Sequence, residues 1–528
     1  MRRPRPVTVD PLGLITIVAW VGGVLAIAAM AWSAVRYLLG PALRPWSHTV
    51  GLPRTDLVLA AAAVATAAAL LAAAFVLGSR RPRAAIALAI GTLVVVRLGV
   101  AVALDARLFS DYLAYRSLAE AMIAGYGFWT SVPPGYPLLE AAGIVLLGGA
   151  GVLSAELVNV ALGIVSGVAI LVVVRDAWGD RSAAVAVMAF AIIPSQVFFT
   201  LVLGTEIAYG AALALVALVA LRSRSGSLAV IAGCGVLLGL SQYVRPTSQL
   251  FLPAVLAVVL IATRGRASWW RTGLTFVVAF AVSVAPIVAW NASVNGRLSA
   301  SPSLFDKWTV YIGLNAASHG QYRLTDRLAV SDAAGVPFPI VGDGQPGTAF
   351  RPLYLEQSRA FNDAAGNLIG ERLRKNGFAS VRIQPAKFAA MWDRADYPIG
   401  LVFGPDSPQP APRVAAVVAL VSQAGWVALL ITSLVALVRL RRTRPPAVVT
   451  VLLILLSAIA IHVVAEVQPR YHEYYVPLLV ILVGGAVAAA PSRPSRRPQE
   501  LGAPAQLLGD VDEVERPVGR SGDVDAVG

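Results

Sequence analysis

Thirteen apolar runs, most of them close to 20 residues long, punctuate this 528-residue chain. They fall at roughly 12–35, 56–78, 84–104, 137–153, 156–174, 182–203, 207–221, 228–243, 248–263, 273–291, 414–438, 446–465 and 475–490. About 20 apolar residues in a helix cross the ~30 Å hydrocarbon core of a bilayer. A helix also satisfies its own backbone polar groups there, which a loop or open sheet cannot do. Charge agrees with this reading: 14% of residues are charged, against about 25% in soluble proteins. The pattern predicts an all-α polytopic membrane protein.

Basic residues orient the spans, because cytoplasmic loops carry the excess of Lys and Arg. Arg2, Arg3 and Arg5 set the N-terminus inside, and Arg80, Arg81 and Arg83 do the same for the second loop. Arg222 and Arg224, Arg264, Arg266 and Arg271, the Arg439–Arg444 cluster, and Arg493, Arg496 and Arg497 mark the same face. Thirteen crossings cannot leave both termini inside, so one run fails to cross. Segment 137–153 is the expected one, being short, Gly-rich and the carrier of Glu140. About 12 transmembrane helices remain, plus this re-entrant or half-crossing segment, and Arg175 and Arg181 then also lie inside. The net charge of +14 follows these membrane-flanking clusters. Anionic lipid accounts for it, so it points to the bilayer and is not a nucleic-acid footprint. The single cysteine, Cys234, permits no intrachain disulfide. The predominance of Arg over Lys, with abundant Ala, Val and Gly, resembles the usage of a GC-rich bacterial genome.

The runs divide the chain. Residues 1–83 hold an N-terminal transmembrane pair, 84–291 the transmembrane core with a first external loop at 105–136, and 414–490 the C-terminal helices. Segment 292–413 is the one sizeable polar region, expected outside as a loop or small subdomain. It is Gly/Pro-rich around 342–347, and the spacing predicts a helix over 353–376. Residues 491–528, rich in Pro, Arg and acids, read as a disordered cytoplasmic tail. No internal repeat marks the duplicated halves of a transporter.

Acids and arginines expected at one external surface carry the chemistry. Asp111 opens an amphipathic helix just outside the third run, Glu206 starts the seventh, and Arg245 and Arg470 each lie at the end of an apolar run. A carboxylate accepts a hydroxyl proton, and the planar fork of Arg binds two phosphate oxygens. Such a set suits group transfer from a lipid phosphate, and no Gly-rich phosphate loop after a strand suggests a nucleotide instead.

Five stretches occur in an order that resembles the GT-C superfamily of membrane glycosyltransferases. The group most similar is glycosyltransferase family 39, of protein mannosyltransferases and aminoarabinose transferases. They are Arg97…Asp111-Tyr112…Tyr115…Pro133-Pro134-Gly135-Tyr136-Pro137; Ile193-Pro194-Ser195-Gln196…Thr205-Glu206; Gly239-Leu240…Tyr243-Val244-Arg245-Pro246; Tyr311-Ile312-Gly313…Gly320-Gln321-Tyr322; and Gln468-Pro469-Arg470-Tyr471-His472…Pro477. The resemblance runs over roughly 90–490, so the first two runs look like an added pair. It implies a GT-C-type bundle, a polyprenyl-phosphate sugar donor, an extracytoplasmic acceptor and inversion of the anomeric centre. By that resemblance Asp111 is the base, and Glu206 positions the acceptor or assists the base. Arg245 and Arg470 hold the donor phosphate, with Tyr112, Tyr136, Tyr471 and His472 as further binding residues. The family's first site commonly has a paired acid, whereas here Tyr112 follows Asp111. No cofactor is implied with certainty, and a divalent metal stays open.

Plainer readings compete. Ser110 and Asp111 suit a helix N-cap, and Pro133, Pro134 and Pro137 suit a helix boundary. Arg97 lies inside an apolar run, where snorkelling or pairing with an acid is expected. His462, Glu466 and His472 match no strong metal spacing. The alternative function is a polytopic transporter or lipid flippase, which predicts charges along a midplane path. Acids gathered at one face favour the enzyme.

Overall fold

The long apolar runs fold as helices, as the computed structural model of the chain records for residues 10–39, 54–108, 110–125, 132–149, 151–338, 352–377 and 379–489. The expected tail at 491–528 and the Gly/Pro stretch at 342–347 lie outside the described residues. Among the described residues there are α-helices and 3-10 turns and no strand. Nine helices among the described residues are long and apolar enough to cross a membrane, ten if a bent pair counts as one span.

The first helices are α1 (Pro11–Leu39), α2 (Arg54–Arg80) and α3 (Pro82–Ala103). Pro82 at the first position of α3 turns the chain sharply after Arg80, since proline suits a helix start and breaks the interior. The amphipathic α4 (Asp111–Ile123) follows, then α5 (Gly135–Leu147). At 13 residues, α5 is about 20 Å long by a rise of ~1.5 Å per residue, short of the hydrocarbon thickness. Gly148, with φ 68°, ends it.

The bundle core comprises α6 (Val152–Trp178), α7 (Asp180–Ile192), α8 (Pro194–Phe198) and α9 (Thr205–Arg222). The single run expected at 182–203 is broken: α7 and α8 meet at 62°. Pro194 has no N–H to continue α7 and begins a new helix. The shorter α10 (Leu228–Ser241) and α11 (Leu252–Thr263) precede α12 (Trp269–Asn295). Packing joins α3 to α7, α6 to both α7 and α9, and α10 to α12.

The described residues of segment 292–413 include α13 (Asp306–Gly313), α14 (Leu324–Ala334), α15 (Pro352–Asn376), α16 (Ala379–Arg382), α17 (Gln384–Trp392) and α18 (Tyr397–Phe403). The helix expected at 353–376 is α15. Trp308, Tyr311, Ile312, Val330 and Phe361 form a small apolar nucleus of their own there. The chain re-enters the bundle through α19 (Pro412–Leu440), α20 (Pro446–Val464) and α21 (Val476–Ala488). The N-terminal pair is part of the bundle, with α1 packed on α19 and α20, and α2 on α7 and α3.

Candidate active site

Arg470 is the hub. It precedes a 3-10 turn, Tyr471–Tyr475, that leads into α21. Its Nη2 stands 2.5 Å from Asp111 Oδ2, and its Nη1 donates to the Tyr112 hydroxyl at 2.6 Å. Its Nε lies 3.5 Å from Glu206 Oε1. Two acids and a phenol from distant stretches thus converge on one guanidinium, which is 15% exposed. Burial alone disfavours that charge, but Tyr112, Asp111 and Glu206 outweigh it and hold the guanidinium pKa above its ordinary value.

Asp111 is the first residue of α4, and its side chain is 49% exposed. Ser110 occupies the N-cap at φ 49° and makes no side-chain cap bond. The capping reading therefore does not hold: Asp111 turns to Arg470. Tyr112 is buried beneath, its hydroxyl 3.4 Å from that of Tyr397. Burial keeps this phenol protonated, its pKa well above the ordinary value.

Glu206 sits in the first turn of α9, where the helix dipole favours a carboxylate. It is 3% exposed, and its Oε2 has no hydrogen-bond partner among the described residues. Gly204 allows this placement, because a Cβ there would lie 2.3 Å from Glu206 Oε2 and 2.9 Å from Tyr112 Cε1. Arg245 donates to Thr205 Oγ1 at 2.9 Å, and its guanidinium lies over the rings of Tyr471 (4.6 Å) and Tyr474 (4.4 Å). The phenol of Tyr115 feels the charges of Asp111, Arg245, Glu206 and Arg470 together, and its pKa is raised, first by burial.

Other motif stretches hold this cluster in register. Gly135 N donates to Tyr243 O at 2.8 Å, joining the Pro-Pro-Gly turn to the loop that carries Arg245. Lys387 is buried, and its ammonium donates to the carbonyls of Gly313 (2.8 Å), Val463 (3.0 Å) and Ala465 (2.9 Å). It thereby satisfies carbonyls at the end of α20, where a cation complements the dipole. Glu466 N and Val467 N donate to Thr309 O and Gly320 O, each at 3.0 Å. Ser195 and Gln196, on the helix that Pro194 redirects, donate to Glu473 Oε2 at 3.0 and 2.7 Å.

Two expected binding residues are not brought to the cluster. His472 is fully buried, its Nδ1 2.9 Å from Met391 O and its ring 4.6 Å from that of Trp426. Two positions beyond Arg470 in a 3-10 turn, it faces a different side from Arg470. Tyr136 directs its hydroxyl to Asn159 Oδ1 at 3.1 Å and meets the cluster through its ring contact with Tyr115, 5.6 Å away. Tyr471 stays, beneath Arg245. Arg97 does not snorkel and pairs with no acid among the described residues: it is fully buried, 4.7 Å over the Phe190 ring. Gly163 makes room for it, since a Cβ would lie 2.7 Å from its Nε. Among the described residues no three His, Cys, Asp or Glu side chains gather as a metal site. His462 Nδ1 lies 2.8 Å from Ala458 O.

Sequence reasoning missed Thr205, Tyr397 and Tyr474 as members of the cluster. For Tyr474 a signal existed: in a 3-10 turn residues three apart eclipse, so Tyr471 and Tyr474 share a face. Tyr397 carries no local signal.

No curated protein matches the chain. Among solved structures it is similar to ArnT from Cupriavidus metallidurans bound to undecaprenyl phosphate. That likeness has 17% identity and a TM-score of 0.36, over 76% of this chain and 77% of that one. It is also similar to the archaeal oligosaccharyltransferase AglB from Archaeoglobus fulgidus, in complex with an inhibitory peptide and a dolichol-phosphate. There the identity is 16% and the TM-score 0.42, over 78% of this chain and 50% of that one. Residues 131–290 match the family described as dolichyl-phosphate-mannose-protein mannosyltransferase. That match runs from the Pro-Pro-Gly turn through Glu206 and Arg245, so it spans two of the stretches that build the cluster.

Proposed function

We propose that the protein moves a sugar from a polyprenyl-phosphate-linked donor to a hydroxyl of an extracytoplasmic acceptor, inverting the anomeric centre. The observation that carries this reading is the meeting of Asp111, Glu206 and Tyr112 on Arg470, with Arg245 alongside. The donor class follows the description of the matched family.

At rest Arg470 is paired with both acids. Donor phosphate competes for the same guanidinium, and charge-assisted Arg–phosphate bonds are among the strongest a side chain makes. Phosphate on Arg470 and Arg245 therefore releases Asp111. Asp111 then takes the proton of the acceptor hydroxyl as its oxygen bonds to the anomeric carbon. The carbon–oxygen bond to phosphate breaks, and its electron pair leaves on the polyprenyl phosphate, whose charge the two arginines stabilise. Glu206, buried with one oxygen unpartnered among the described residues, orients the acceptor or assists the base.

Membranes carrying the protein, given a radiolabelled polyprenyl-phosphate sugar, test the reading. Label should pass to an acceptor in the wild type and fall by about 10²–10⁴-fold in Asp111→Asn, the range of general-base catalysis. Full transfer by that variant refutes the mechanism. A flippase would carry label across the bilayer without cleaving the donor.

A further inference from the structure

The last turn of α1 ends beside the loop that carries Arg470, and a cavity of about 330 Å³ lies between them. That volume is at the lower end of the range for small-molecule sites. Arg36 and Tyr37 of α1 line one side, and His319 and Gln321 of the turn that holds Val467 line another. Asp393 and Arg394, just past α17, line the third. Small side chains of α17 and Pro469, the residue before Arg470, leave the room.

Part of this polar wall is already engaged. Arg394 Nε donates to Asp396 Oδ1 at 2.6 Å, and the Tyr37 hydroxyl donates to Asp396 Oδ2 at 3.2 Å. Asp396 is fully buried, so it neutralises Arg394 and has little capacity left. Asp393 differs. Its Oδ1 is buried with no hydrogen-bond partner among the described residues. A buried carboxylate oxygen left unpaired costs free energy, and the same carboxylate side chain lines the cavity. Burial raises its pKa to about 6, so it is still mostly an ionised acceptor at neutral pH. The donors of Arg36, His319 and Gln321 line the same cavity.

The mixture identifies the ligand chemistry. A phosphate would meet the charge of Asp393, and a cation would meet Arg36. A neutral group bearing several hydroxyls satisfies both sides, because each hydroxyl donates to a carboxylate and accepts from a guanidinium or amide. We propose that this cavity binds a sugar residue of the acceptor, held between Asp393 and Arg36 and one residue from the hub arginine. The word acceptor rests on the transferase reading above; the sugar-binding assignment rests on the cavity alone. Its wall also gives α1, a helix outside the resemblance to family 39, a part in substrate recognition.

Saturation-transfer NMR on the full-length protein in lipid nanodiscs tests it, with methyl α-mannoside, methyl β-glucoside and inorganic phosphate as separate probes. At least one glycoside should give a signal in the wild type. Asp393→Ala and Arg36→Ala should each reduce it at least fivefold. Arg36 is exposed, so its variant folds normally even if Asp393→Ala does not. In the transfer assay both variants should leave donor hydrolysis without acceptor unchanged. A signal from phosphate alone, no glycoside signal, or one indifferent to Arg36→Ala overturns the site. If the wild type turns over no polyprenyl-phosphate sugar while glycoside binding still depends on Arg36, the sugar site stands and the transferase reading falls.

Discussion

Arg470 and Asp111 lie 359 residues apart in the chain and 2.5 Å apart in space. The same guanidinium also faces Glu206 and the Tyr112 hydroxyl, which makes it the point at which a lysine is least able to substitute. Arg470→Lys keeps the charge but loses the planar fork. A single ammonium cannot hold Asp111, Tyr112 and the region of Glu206 at once. The KM for a polyprenyl-phosphate sugar should rise at least about tenfold, a loss of ~1.4 kcal/mol, with expression near normal. An unchanged KM would remove Arg470 from donor binding.

Gly204 supplies a test of the Glu206 geometry that leaves every charge in place. The methyl of Gly204→Ala would overlap Glu206 Oε2 and crowd the Tyr112 ring. Overpacking of this kind costs about 1–3 kcal/mol. Transfer should drop more steeply than the melting temperature of detergent-purified protein. A variant with wild-type activity would show that Glu206 does not need its present position.

Arg97 is a buried cation whose Nε and Nη1 have no partner among the described residues. An arginine at the centre of a membrane helix costs about 2.5–3.5 kcal/mol on insertion scales. Arg97→Met has similar length and no charge, so thermal stability should be unchanged or higher and transfer unaffected. A loss of activity in a stable variant would place Arg97 in the reaction after all.

Glu466 stands outside the spans, and its pKa is raised to about 7, first by burial and also by Asp111, against the opposing pull of Gln468 and Arg470. The unfolded value is near 4.3, so between the two the folded state holds more protons. Its stabilising contribution is therefore complete below about pH 4 and is lost as pH rises through 7. Melting temperature measured from pH 5 to 8 should fall in the wild type more than in Glu466→Gln, where this group no longer titrates. Parallel curves would show that Glu466 titrates alike in both states.

The expected external placement of segment 292–413 is open to labelling. Ala333 is exposed on α14 and Thr443 is exposed after α19, while native Cys234 is buried. An impermeant maleimide added to intact cells should label Ala333→Cys and spare Thr443→Cys. The reverse pattern would invert the topology and move the site to the cytoplasm.

The lesson for reading such a chain lies in what each level of description contains. Length and hydrophobicity of the runs at 12–35, 84–104, 156–174 and 414–438 determined membrane helices at α1, α3, α6 and α19, because spanning a bilayer is a property of local composition. The spacing of apolar and polar residues likewise determined α15. Short motifs marked Asp111, Glu206, Arg245 and Arg470, since their side-chain chemistry is legible residue by residue. Only the tertiary structure decided that these four share one place, that His472 turns away to Trp426, and that Tyr397 and Tyr474 join the cluster. It also decided that Arg97 stacks on Phe190 and that the 182–203 run bends at Pro194. The reason is geometric. Which side chains meet depends on the rotation of each helix and the path of each loop, fixed by packing and by remote ties such as Lys387 to Gly313 and Glu473 to Gln196, and no local spacing records them.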